Sequence, residues 1–69
     1  MALNTTFKAI ADPVRRQILE DLRQNRQSAG EIAAHFKLSN ATVSYHLKLL
    51  KQAGLVTVTK EKNYVYYEL

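Results

Sequence analysis

The sequence predicts an α+β fold, a winged helix-turn-helix of about four helices followed by a two-stranded β-hairpin wing. Three observations predict it. Two amphipathic segments, each opened by a serine able to cap a helix, are separated only by Lys37-Leu38-Ser39. After Gly54 the apolar period changes from 3.6 to 2. The closing run, Tyr64 to Leu69, is aromatic and β-branched, as strands are. The whole chain, residues 1–69, reads as one small domain without linkers or repeats.

Each element has its own local signal. Asn4, Thr5 and Thr6 can start a helix, and Leu3, Phe7 and Ile10 follow at i, i+4 and i+7, giving a short helix ending near Ala11. That stripe suits either a core or a dimer contact. Asp12-Pro13 restarts the chain as a helix, because Asp caps and Pro at the first position forfeits no needed hydrogen bond. Its buried stripe is expected to be Val14, Ile18, Leu19 and Leu22, with Arg15, Arg16, Glu20, Asp21 and Arg23 facing water. Gln24 to Gln27 reads as a polar loop. Ser28 and Glu31 form a capping box, after which Ile32, Ala33 and Phe36 face inward. Leu38 plugs the corner of the turn, and Ser39 caps the next helix, which Gly54 closes. Leu55 to Thr59 and Tyr64 to Leu69 are the wing strands. Lys60-Glu61-Lys62-Asn63 is the hairpin tip, with Asn63 expected to take a positive φ. The three late tyrosines, Tyr64, Tyr66 and Tyr67, are expected to pack within the wing.

Composition excludes several function classes. No cysteine is present, so disulfide staples and thiolate metal sites are ruled out. No apolar run approaches the ~20 residues of a membrane span, and a cytoplasmic protein is the simplest expectation. His35 and His46 lie on different helices without cysteine partners or a nearby carboxylate cluster, so no metal or cofactor is expected. His46 sits near the apolar stripe and reads as a partly buried structural residue. With no Ser/His/Asp set, paired carboxylates or glycine-rich phosphate loop, no enzyme is expected either.

Charge points the other way, toward a polyanion. The formal net charge is +4, and from His35 to Lys60 there are four lysines and no acidic residue. The segment from Ser39 to Gly54 concentrates this feature. Val43, Leu47 and Leu50 make an apolar stripe; turned away from it are Ala41, Tyr45, Lys48 and Gln52, with Thr42 and Ser44 on the shoulders. In a helix-turn-helix the first turns of the second helix reach base edges in the major groove. Asn40, Ala41, Thr42, Ser44 and Tyr45 are therefore the candidate base-reading residues. Asn40 suits adenine N6 and N7, and Ala41 or the Thr42 methyl suits a thymine methyl. Ser39, Lys37, Lys48, Lys51, Lys60 and Lys62 are the candidate backbone contacts, which position without reading sequence. The expected partner is double-stranded DNA. A winged-helix module that binds another protein is the alternative, but an apolar or acidic face would suit it better than this polar, basic one. RNA fits less well, since its deep, narrow major groove does not admit a helix.

The residues also resemble a known family. Asp12-Pro13-Val14-Arg15-Arg16-Gln17-Ile18-Leu19, the run from Ser44 to Val56, and Val65-Tyr66-Tyr67-Glu68-Leu69 resemble, in order, three motifs of ArsR-type winged-helix repressors. The likeness runs from about Phe7 to Leu69, and Phe7 to Pro13 is most similar to the SdpR-like, metal-free autorepressor branch. The resemblance implies a prokaryotic repressor that binds an imperfect inverted repeat in a promoter. It implies base reading from the positions of Asn40, Ala41, Ser44 and Tyr45. Three departures stand out. The helix after Ser28 lacks the cysteines with which many relatives bind metal, the glycine common at the wing tip is replaced near Lys62-Asn63, and the sequence given ends at Leu69, before the family's usual C-terminal pairing helix. The resemblance thus implies a homodimer for the full family architecture and does not extend that implication to this length.

Overall fold

In the computed structural model, which describes residues 2–69, the element order is α1 (Ala2–Ile10), α2 (Pro13–Leu22), β1 (Gln27–Ser28), α3 (Ala29–Phe36), α4 (Asn40–Gln52), β2 (Thr57–Glu61) and β3 (Tyr64–Glu68). The expected winged helix-turn-helix is present, with one added strand. β1 pairs antiparallel with β3, placing Gln27 opposite Tyr67 and Ser28 opposite Tyr66, and the sheet order is β1-β3-β2. The segment expected to be a loop thus ends in a strand. Two residues carry no detectable period, yet the reason is visible at Ser28. An N-cap residue has extended backbone, and Ser28, at φ −78° and ψ 162°, serves at once as the last strand residue and the cap of α3.

Caps fix the helix boundaries as the sequence suggests. Asp12 accepts from the Arg15 amide at 3.0 Å, with Pro13 at the first position of α2. The capping box of α3 is complete: the Glu31 amide donates to Ser28 Oγ at 3.1 Å, and the Ser28 amide donates to Glu31 Oε1 at 2.8 Å. Both α3 and α4 end in Schellman patterns. Leu38 N–H reaches Ala33 O and Lys37 N–H reaches Ala34 O; likewise Leu55 N–H reaches Leu50 O and Gly54 N–H reaches Lys51 O. Gly54 takes φ +74° as expected, whereas Lys37 takes φ +57° with a full side chain.

The core is Ala9, Ile18, Leu22, Ile32, Ala33, Val43, Leu47, Leu50 and Val56, with Val14, Leu19, Phe36, Leu38 and Tyr67 packed against it. Helix α1 departs from expectation. It is already helical through Asn4–Thr6, and its buried residue is Ala9, while Ile10 is half-buried and Phe7 is 59% exposed. The small Ala9 side chain lets α1 approach the rest closely. The Leu3 side chain lies outside the described residues.

The wing also shifts. β2 begins at Thr57, not Leu55, and Lys60 and Glu61 are paired with Val65 and Tyr64. That leaves a two-residue turn at Lys62-Asn63. Two-residue hairpin turns take a positive φ at their first central residue to match strand twist. Lys62 therefore carries it, at φ +55°, in place of Asn63. Tyr67 packs on the core, Tyr66 lies beneath the Arg26 guanidinium at 4.2 Å, and Tyr64 stacks on Tyr66 at 6.0 Å.

Candidate nucleic-acid interface

Helix α4 is the candidate reading element, and the fold holds it from behind. Val43, His46, Leu47 and Leu50 form its buried face. Asn40, Ala41, Thr42, Ser44 and Tyr45 are all exposed, Tyr45 to 56%. Ser39, Lys37, Lys48, Lys51, Lys60 and Lys62 are exposed as well. The first group therefore lies together on the opening turns of α4. Lys37 and Ser39 lie in the turn before it, Lys48 and Lys51 on its later turns, and Lys60 and Lys62 at the far end of the wing. The exposed surface of α4 carries no carboxylate.

The opening of α4 is held by hydroxyls. The Thr42 amide donates to Ser39 Oγ at 3.1 Å, and the Ser39 hydroxyl donates to Thr42 Oγ1 at 2.9 Å. No acidic residue stands in the first turn, so no side-chain charge of α4 offsets the positive end of the helix dipole.

Three arginines outside the sequence-based set brace the elements around this site. Arg15, expected in water, is only 8% exposed. Its Nε donates to Ala9 O at 2.7 Å, one terminal nitrogen donates to Lys8 O at 3.0 Å, and the other to His46 Nδ1 at 3.1 Å. Arg15 thus links the end of α1 to the middle of α4. A guanidinium only donates, so His46 Nδ1 is the acceptor and the ring proton belongs on Nε2. His46, 9% exposed, is the structural residue the sequence suggested. Arg16 completes the end of α1, donating to Ile10 O at 2.8 Å and Ala11 O at 3.2 Å. A helix leaves its last carbonyls without partners, and two consecutive arginines just after a helix-ending Asp-Pro were the readable signal.

Arg26 does the same for the wing. It pairs with Glu61 and lies over Tyr66, tying the α2–β1 connection to both wing strands. The hydrogen bond from Arg26 holds the Glu61 carboxyl below its usual range and raises the guanidinium in turn. A polar depression lined by Asp21, Gln24, Arg26, Glu31 and His35 contains none of the candidate DNA contacts. Among the described residues no group of three or more His, Cys, Asp or Glu is placed to hold a metal ion, and no helix is long and apolar enough to cross a membrane.

Known proteins share this arrangement. A family model described as a helix-turn-helix domain matches residues 10–59. The transcriptional repressor SdpR of Bacillus subtilis is 43% identical over 97% of this chain and 74% of its own length. The chain belongs to the ArsR-type winged helix-turn-helix family of transcriptional regulators. Solved structures agree. HlyU from Vibrio cholerae superposes with a TM-score of 0.88 at 38% identity, covering 99% of this chain and 74% of HlyU. A possible ArsR-family regulator from Mycobacterium bovis, described as a homodimeric winged helix-turn-helix DNA-binding domain, gives a TM-score of 0.93 at 32% identity. It is matched over 99% of this chain and 63% of its own. The chain thus spans between 63% and 74% of the length of these relatives.

Proposed function

We propose that this chain is a cytoplasmic, sequence-specific double-stranded DNA-binding repressor that occludes a promoter, its 69 residues acting as a single DNA-binding unit. Helix α4 enters the major groove. Asn40, Ala41, Thr42, Ser44 and Tyr45 read bases, while Ser39, Lys37, Lys48 and Lys51 hold phosphates. Lys60 and Lys62 reach the adjacent backbone from the wing. The observation that carries this reading is the pairing of a locked inner face of α4 with an outer face that is exposed, polar and free of carboxylates. SdpR, named a repressor, supports the direction of regulation; HlyU, named an activator, shares the scaffold. Two copies on an imperfect inverted repeat fit the dimer described for the Mycobacterium bovis relative. Half-sites would then lie about one helical turn apart.

Selection from random duplex DNA, with mass measured in solution, tests this directly. The expected product is a short inverted repeat bound by two protomers, and Ser44→Ala with Tyr45→Ala erases discrimination between it and random DNA. A double variant that discriminates as well as the parent would overturn the site assignment. Absence of any duplex binding at low salt would overturn the function.

A further inference from the structure

The tip of the wing stands away from the body of the domain. Residues 60–65 are all exposed, and the hairpin meets the core at its base, through Leu55, Val56 and Tyr67. Backbone pairing with β1 likewise stops at Tyr66. A two-stranded ribbon alone is marginally stable and twists more than a wider sheet. Arg26 spans the gap. It precedes β1 at one edge of the sheet, and its side chain crosses β3 to donate from Nη1 to Glu61 Oε2 on β2. On the way the guanidinium lies over the Tyr66 ring, 4.2 Å from its centroid, and Tyr64 stacks on Tyr66 in turn. By contrast, the bonds from Thr57 and Thr59 to Glu68 stay within the hairpin. Glu61 is itself an unexpected residue there, a carboxylate between Lys60 and Lys62. It repels phosphates, and an exposed ion pair adds little to stability, so neither charge nor stability accounts for it.

We propose that Arg26 is the positioning residue of the wing: by gripping Glu61 across Tyr66 it fixes the tip so that Lys60 and Lys62 meet the DNA backbone while α4 occupies the groove. The inference rests on the DNA-binding reading above. Lysines already in place lose less conformational freedom on binding than lysines on a swinging hairpin.

The test measures affinity and its salt dependence on the duplex selected by the parent chain. The variants are Arg26→Ala, Glu61→Thr, and Lys60→Gln with Lys62→Gln, the last pair also in the Arg26→Ala background. Charge alone makes a definite prediction for Glu61→Thr: losing a carboxylate beside the phosphates, and freeing Arg26, tightens binding. A brace predicts the reverse. Glu61→Thr, which keeps a strand-forming residue, and Arg26→Ala each weaken binding roughly three- to tenfold, the scale of one side chain that must be ordered anew. In the parent, loss of both lysines lowers the slope of log affinity against log salt by about 1.8 per protomer. In the Arg26→Ala background it lowers the slope by less than half as much. Neither Arg26 nor Glu61 belongs to the core, so thermal midpoints stay near the parent's, and stoichiometric titration separates any loss of folded protein from loss of affinity. Glu61→Thr binding as tightly as the parent, or tighter, overturns the brace. So does a full drop in slope when the lysines are lost alongside Arg26. A parent slope indifferent to both lysines removes the wing contact and the proposal with it, whereas a parent chain that selects no duplex refutes the DNA-binding reading itself.

Discussion

Arg15 carries a permanent charge into a place with little water, and its surroundings explain why that is tolerated. The Lys8 and Ala9 carbonyls lie at the negative end of α1, where a cation is favoured, and His46 Nδ1 takes the remaining donor. Removing the guanidinium leaves acceptors on two helices without partners. Arg15→Met is expected to cost about 2–3 kcal/mol, read as a lower urea midpoint. Arg16→Ala, which frees carbonyls that water can reach, costs less than about 1 kcal/mol. Equal losses would mean that burial of the Arg15 network contributes nothing. Asp12 gives a pH signature at the same junction. The hydrogen bond from the Arg15 amide, followed by the charge of Arg15, holds its carboxyl below the usual 3.8 despite partial burial. A depressed folded-state value means the stabilisation is complete above the unfolded value and is lost as pH falls through the folded one. The stability difference between the parent and Asp12→Asn should therefore be constant above about pH 5 and shrink below about pH 4. A difference that holds to lower pH would exclude the ionised cap as its source.

At the scale of elements, the turns between helices and strands show where backbone conformation and side chain disagree. Lys37 and Lys62 both sit at positive φ, where a Cβ is strained and glycine is not. Lys37→Gly should raise stability by roughly 0.5–1 kcal/mol, seen in thermal denaturation, while weakening DNA binding if its ammonium meets a phosphate. A destabilised Lys37→Gly would mean the lysine stem contributes more by packing than the strain costs. These two lysines also mark what could be read in the chain beforehand. Elements announced by caps were legible: Asp12-Pro13, the Ser28–Glu31 box, Ser39 and Gly54 each sit where the helices begin or end. What escaped depended on partners distant in sequence. Strand β1 exists because β3 offers an edge to Gln27 and Ser28. Arg15 is buried because the end of α1 and His46 converge on it, which a helical wheel for α2 alone cannot contain. Lys62 took the positive φ because Glu61 and Tyr64 pair directly and shorten the turn. The candidate interface was legible for a simpler reason: exposure on α4 follows from the position of the apolar stripe, which is local.

Across the whole molecule the two kinds of cation divide the work. All six carboxylates have intrachain partners: Asp12 and Glu31 cap helices, Glu20 meets Arg23, Asp21 meets His35, Glu61 meets Arg26, and Glu68 accepts from Thr59. The arginines are spent on the fold, on helix ends or on those acids. Among the described residues no lysine takes part in an ion pair. The lysines are therefore the cations left available to a polyanion: Lys37 precedes α4, Lys48 and Lys51 lie on its later turns, Lys60 and Lys62 at the wing tip, and Lys8 in the last turn of α1. If phosphates are their partners, each contact releases condensed counterions, and the logarithm of affinity falls with the logarithm of salt by about 0.9 per contact. Lys48→Gln and Lys51→Gln are each expected to reduce that slope by about 0.9 for every bound protomer. The ratio of affinities for operator and random duplex should not change, because phosphate contacts position without reading sequence. Arg23→Gln, on the surface but paired with Glu20, should leave the slope alone. The opposite pattern, with Arg23 changing the slope and the lysines not, would place the bound DNA away from α4, since the cations that release ions are those that lie against it.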